Sequence, residues 1–245
     1  MTASLCFLHF RARLIDWSIP CVSTLLHSWI QIIYLGVPAA LTQALNPIAQ
    51  GFYIRVAAGV GGVQAVAAMA TGTRMEAFIY IISIAYGIAI VPFVGQNFGA
   101  KAMARVQEAR RISIRLAFIY AGITLLFLIP SARFISSWFS ADATIIGLST
   151  QYLLIATLGH TGVYIDVWMG QLLGVIGKPK PVMAINLARV FVFIIPLTLI
   201  GSRTFGFTGL VIGITVGNLL GGALAYFVTR NQLRKTSAEL IVQAG

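Results

Sequence analysis

Long apolar runs, each of about twenty residues or more, recur along this chain, and each is long enough to cross roughly 30 Å of hydrocarbon as a helix. Outer-membrane strands would instead alternate polar and apolar residues. The runs therefore predict an all-α, polytopic integral membrane protein. The composition agrees: 58% of the 245 residues are hydrophobic, only 9% are charged, and the mean hydropathy is +0.90. A soluble domain carries about 25% charged residues.

Charge, glycine and proline divide the runs into six expected spans, at Ile30–Val56, Val66–Val94, Ile112–Pro130, Leu148–Ile176, Val182–Ile200 and Phe207–Val228. A net charge of +11 would suggest nucleic acid on a folded soluble surface, but here the basic residues sit in the connections, so no nucleic-acid partner is expected. Lys101, Arg105, Arg110, Arg111 and Arg115 follow the second span, Lys178 and Lys180 the fourth, and Arg230, Arg234 and Lys235 the sixth. The alternate connections are poor in charge, and "GVGGVQA" has none. Basic residues accumulate on the cytoplasmic side, which predicts a plasma (inner) membrane protein with both termini in the cytoplasm.

Residues 1–29 fit neither a signal peptide nor a span, because Arg11, Arg13 and Asp16 interrupt the apolar residues. They are read as a cytoplasmic segment or a start-site artefact, residues 30–235 as the six-span body and residues 236–245 as a cytoplasmic tail. The two cysteines, Cys6 and Cys21, are read as free thiols without a role.

Of six acidic residues, two fall inside spans, and an ionisable group there is costly enough to be a functional candidate. Asp166 stands eleven residues before Gly177 and so about 16 Å from the basic connection. Gly162, Asp166, Gly170 and Gly174 recur every four residues, a stripe that another helix can approach. A carboxylate there can exchange a proton or bind sodium, or it can be the partner of a structural arginine. Glu76, flanked one turn either way by Thr73 and Tyr80, can serve a gate or a lumen, or form an interfacial cluster with Arg74.

In the first span Gln43, Asn46, Gln50 and Tyr53 share one face, suited to lining a wet cavity for a polar or cationic solute, or to hydrogen bonding between helices. Gly209, Gly213, Gly217 and Gly221 make a groove for helix packing. His160 reads as a satisfied core histidine, and Arg55 and Arg189 as snorkelling residues near span ends. No Walker motif, metal-ligand cluster or Ser-His-Asp arrangement stands out, so neither an enzyme nor an ATP-driven pump is expected, and no metal or cofactor beyond a coupling ion.

The run "AVAAMATGTRMEAFIYIISIAYGIAIVPFVGQNFGAKAMARVQEARR", with "LGVPAAL" before it and "GKPKPVMAINLARVFVFIIPLTLIG" after it, resembles the second half of multidrug and toxic compound extrusion (MATE) transporters. The most specific part is Gly95, Gln96, Asn97 and Gly99 at a helix end. There the two glycines are expected to let the chain leave the helix, and Gln96 and Asn97 to cap its backbone. The resemblance implies an antiporter of two six-helix lobes, driven by a proton or sodium gradient and exporting organic cations, that is, multidrug efflux. It makes Asp166 the nearest match to the cation-linked carboxylates of the C-terminal lobe, and the two in-span carboxylates, Asp166 and Glu76, are the expected cation-coupling residues.

Such transporters have about twelve spans, and this chain supplies one lobe. It pairs with a separate N-terminal lobe, forms a homodimer or is a truncated product, the last being the leading reading. A lipid-linked saccharide flippase of the same superfamily would need Arg55, Arg74 and Arg189 in its lumen to meet a pyrophosphate. A non-transporting membrane subunit or remnant is the rival of another class.

Overall fold

A computed structural model describes residues 21–242. The expectation for Cys6 and for most of the segment 1–29 lies outside the described residues. Cys21 is exposed, and helix begins directly after it at Val22.

The described residues form six helices and no strands. The run Val22–Gly99 is two helices, α1 (22–60) and α2 (63–99), because Gly61 and Gly62 leave helical geometry and Gly62 takes a φ of +58°. The uncharged "GVGGVQA" is thus a tight corner. Then come α3 (Met103–Ser137) and α4 (Ala143–Val175). A second corner, at Phe205 and Gly206, divides the remaining helical residues into α5 (179–204) and α6 (207–242). The helices exceed the expected spans at their ends, and α6 runs through residues 236–242, read from sequence as tail.

The chain divides into two units, Met1–Val37 and Pro38–Gly245. In the first, Leu25, Leu26, Trp29, Ile32 and Ile33 are exposed on the opening turns of α1. The second unit holds the core, and its centre is α4. Tyr164, Trp168, Met169, Leu172 and Leu173 of that helix pack with Val94 of α2, Val106 and Ala117 of α3, Ile185 of α5 and Ala225 of α6. Toward its other end Tyr152 and Ala156 pack with Ala57, Met69, Leu210 and Ile214.

The surroundings of α4 are inverted relative to a soluble protein. Phe118, Ile119, Ile123, Leu126 and Phe127 of α3 are exposed, as are Phe78, Ile81 and Ile82 of α2, which is what a lipid-facing surface requires. The runs holding α1–α2, α3 and α5–α6 are long and apolar enough to span a membrane, whereas α4 is not apolar enough by itself. It carries Gln151, His160, Asp166 and Gln171, and the other helices shield it from lipid.

Helix ends follow local chemistry. The Asp142 carboxylate caps α4, accepting from the backbone N–H of Thr144 at 2.7 Å and of Ile145 at 3.3 Å. At the end of α2 the glycine expectation needs correction. Gly95 lies within the helix, helix persists to Gly99, and the residue at positive φ is Lys101, at +57°. Lys101 N–H donates to the Phe98 carbonyl and Ala102 N–H to that of Asn97, the paired bonds of a Schellman close with lysine in the usual glycine position. The Asn97 amide donates back to the Phe93 carbonyl at 2.8 Å, and the Gln96 carbonyl accepts from Ala100 N–H.

Pro38, Pro47, Pro92 and Pro130 lie within helices whose only breaks in helical dihedrals are the two glycine corners. Pro196 has a different effect. It follows a π-helical segment, Ala188–Ile194, in which Ile195 N–H reaches back to the Val190 carbonyl. A wide turn before proline accommodates its missing N–H and relieves the clash of its ring with the preceding turn.

The glycine stripe of α6 lies against α5. A Cβ at Gly209 would meet the backbone of Gly201, one at Gly213 that of Leu197 and Thr198, one at Gly217 that of Ile194, and one at Gly221 the side chain of Arg189. On a neighbouring face Gly222 meets Gly162 of α4. Replacing Gly213 by Leu should cost about 1–3 kcal/mol through overpacking, read as a lowered melting temperature in detergent. Gly122→Ala, in α3 with open space around it, should leave the melting temperature at or slightly above the parent's.

Candidate functional site

Within Pro38–Gly245, helices α1, α2, α4, α5 and α6 line a half-open cavity of about 950 Å³. Its volume is at the upper end for sites that take drug-sized molecules. Gln43, Asn46, Gln50 and Tyr53 all line it from α1. Their spacing of three, four and three residues turns them to one side of an unbroken helix, so the face read from sequence is the face that borders the cavity.

Glu76 and Asp166 reach the same cavity from α2 and α4. Glu76 is 9% exposed, and both of its oxygens are engaged by α4. Tyr152 Oη donates to Oε2 at 2.7 Å, and His160 Nε2 lies 2.9 Å from Oε1. His160 is itself buried, with Tyr164 Oη at 3.5 Å from its Nδ1 and the Tyr80 ring 5.1 Å from its own. The interfacial Arg74–Glu76 cluster held open above is therefore not what engages this carboxylate. Arg74 is exposed and lines the cavity separately.

Asp166 is 4% exposed and faces Arg189 of α5, with Nε 3.2 Å from Oδ2. The contact is electrostatic more than directional, since Nε makes no well-aligned hydrogen bond and Asp166 Oδ1 has no partner. Arg189 also donates to Asn186 Oδ1 at 3.1 Å and to Asn218 Oδ1 at 3.4 Å. The snorkelling expectation for Arg189 is corrected: it lies ten residues inside α5, in the π-helical segment, and its side chain is held in the interior. The hydrophobic stem has room because Gly221 stands opposite it. Arg55, unlike Arg74 and Arg189, does not line the cavity.

The small-residue stripe around Asp166 serves two purposes. Gly162 meets the α6 backbone at Asn218 and Leu219, so close approach holds there, whereas Gly174 has open space and lines the cavity. Tyr152, Gln171, Asn186 and Asn218 line it too. None of these was singled out from sequence. Tyr152 and His160 meet Glu76 across 76 and 84 residues, separations that local periodicity does not encode.

Comparison with known proteins places these features in company. The family model described as MatE matches residues 38–200. The chain is 27% identical over 203 residues to the FAD transporter of Shewanella oneidensis, covering 83% of this chain and 45% of that protein. It is 25% identical over 217 residues to the multidrug export protein MepA of Staphylococcus haemolyticus, covering 86% and 47% respectively. The crystal structure of the Vibrio cholerae MATE transporter VcmN in the bent form superposes with a TM-score of 0.82 at 25% identity, covering 90% of this chain and 49% of that one. The chain thus spans about half the length of the relatives it matches.

Removing one member of a buried ion pair strands the other. Arg189→Met should destabilise the protein by about 3–5 kcal/mol, and adding Asp166→Asn should recover much of that loss. Thermal unfolding in detergent of the two single variants and the double variant checks the coupling, and strictly additive effects would contradict it.

Proposed function

The chain belongs to the MatE family, a family of membrane transporters and not of enzymes, and from that premise we propose that it acts as the C-terminal lobe of a cation-coupled antiporter for organic cations. The observation that carries this reading is the convergence of two buried carboxylates, Glu76 and Asp166, on one cavity otherwise lined by amides, tyrosines, hydroxyls and apolar side chains, with Arg74 and Arg189 as its only cations among the described residues. In hydrocarbon a carboxylate facing a cavity is where a proton or sodium ion can be taken up and released.

In the proposed turnover the ion loads from outside at Asp166 or Glu76, displaces solute held along Gln43, Asn46, Gln50 and Tyr53, and leaves to the cytoplasm. At Asp166 the incoming ion competes with Arg189 for the carboxylate, and the unpartnered Oδ1 is where it first gains a contact. At Glu76 it competes with Tyr152 and His160. No other cofactor enters the scheme. Alternating access requires one lobe to rock against another, so the proposed working unit includes a second six-helix lobe, as an N-terminal lobe or as a second copy.

A second reading concerns the solute. Arg74 and Arg189 line the cavity, and one relative is named for FAD, whose pyrophosphate would find cationic partners there. Arg189 is already committed to Asp166, so Arg74 is the residue that separates the two solute classes. Arg74→Gln should leave ethidium efflux intact if organic cations are the substrate, and should abolish flavin dinucleotide export if that is the substrate.

The principal test is ethidium efflux from energised vesicles, with the N-terminal lobe supplied alongside this chain. Asp166→Asn and Glu76→Gln should each bring efflux down to the level of vesicles lacking the chain. Full efflux in both variants would sink the coupling role.

The proposed orientation, in an inner membrane with both termini cytoplasmic, rests on the basic ends of α2, α4 and α6. In a Cys6→Ser/Cys21→Ser background, an impermeant maleimide added outside cells should label Val63→Cys, at the first glycine corner, and spare Arg234→Cys. The reverse pattern would invert the topology.

A further inference from the structure

Five arginines surround a second cavity, of about 440 Å³, at the start of α3 and the end of α6. Arg110, Arg111 and Arg115 come from α3, Arg230 and Arg234 from α6, with Gln107 and Tyr226 between them. None of the five is ion-paired among the described residues, and neither Glu108 nor Glu239 lines the cavity. So many like charges around one small space repel one another, and among the described residues no carboxylate pairs with them.

Arg110 adds an independent observation. It is only 9% exposed, its guanidinium lies 5.5 Å from the centre of the Tyr226 ring, and its Nη1 is buried without a hydrogen-bond partner. A buried guanidinium N–H is costly to leave unanswered. The Tyr226 face favours the cation's position but accepts no directed hydrogen bond from Nη1. Arg110 is thus held by the Tyr226 ring at the wall of the cavity, with one guanidinium donor unanswered by the protein around it.

The cavity's place in the fold says where that anion comes from. It sits at the ends of apolar spans, beside the exposed apolar side chains of Ile112 and Phe227. An occupant whose charged end meets the arginines therefore finds a lipid-facing surface directly beside them. Gln107 donates to Ser237 Oγ at 3.2 Å, linking α3 to α6 beside the cavity that Gln107 helps to line.

We propose that this cavity binds the phosphate of an acidic phospholipid headgroup, with Arg110 as the buried anchor and Arg111, Arg115, Arg230 and Arg234 as the outer ring. Guanidinium groups match phosphate oxygens in pairs, and the acyl chains then run along α3 and α6. Such a lipid ties the first turns of α3 to the last turns of α6, which are far apart in sequence. The site is separate from the cavity that holds Glu76 and Asp166.

The test uses the full chain, delipidated in detergent, incubated with phosphatidylglycerol, phosphatidylcholine or inorganic phosphate and examined by native mass spectrometry. Phosphatidylglycerol should be retained and phosphatidylcholine lost. Each arginine removed should weaken retention roughly fivefold, the effect of about 1 kcal/mol per basic residue. Arg110→Lys tests the anchor, and the Arg111→Gln/Arg234→Gln variant, altered only at exposed positions, keeps the test open should the buried site resist substitution. Arg203→Gln, outside the cavity, should retain lipid like the parent. Equal retention of both phospholipids, unchanged retention in the arginine variants, or binding of inorganic phosphate without phosphatidylglycerol would each overturn the proposal.

Discussion

Hydrocarbon has no hydrogen bonds to offer, so every polar group that enters it must be answered by another part of the same protein. The organisation of this chain follows from that demand. α4 carries the largest share of the interior polar side chains, and it is the helix that the others surround. Its tyrosine and histidine answer the carboxylate of α2, its aspartate is answered by an arginine from α5, and the amides of α5 and α6 take up the rest of that guanidinium. Apart from His160, the groups that satisfy one another also border the large cavity, which is why the polar side chains concentrate there and not on the lipid face.

Much of this was legible before any coordinates, and the division between what was and what was not has a physical basis. Spans, their number and the basic ends that separate them depend on local composition, and the six helices fall on the six runs read from it, although α4 is not apolar enough to span by itself. The α1 face of Gln43, Asn46, Gln50 and Tyr53 and the glycine groove of α6 are also local, since a helix converts spacing into a face. Partner choice is not local. Glu76 has a basic neighbour two positions away in Arg74, yet its oxygens are taken by residues 76 and 84 positions along the chain. A different signal was present: Tyr152, Ala156, His160, Tyr164 and Trp168 recur every four residues and put a polar and aromatic ridge on one side of α4.

Arg189 illustrates the converse error. A long basic side chain toward the start of a span ordinarily extends to the interface. Here the opposite carboxylate, the two amides and the space left by Gly221 make the interior the better place for it. The end of α2 is a smaller case of the same kind, where glycine lies nearby but the left-handed position belongs to Lys101, whose side chain is exposed.

The π-helical segment of α5 sets how Arg189 is aimed. A wide turn holds one residue more than an α-turn spanning the same length, so the winding of α5 before Ala188 and after Ile194 differs in phase from that of a continuous α-helix. Tightening that turn would rotate one part of α5 against the other by about 100°, the angular step of one residue. The guanidinium would then swing away from Asp166 without either helix moving bodily. The extra residue thus acts as an angular offset, and the pairing at the centre of the lobe depends on its being kept.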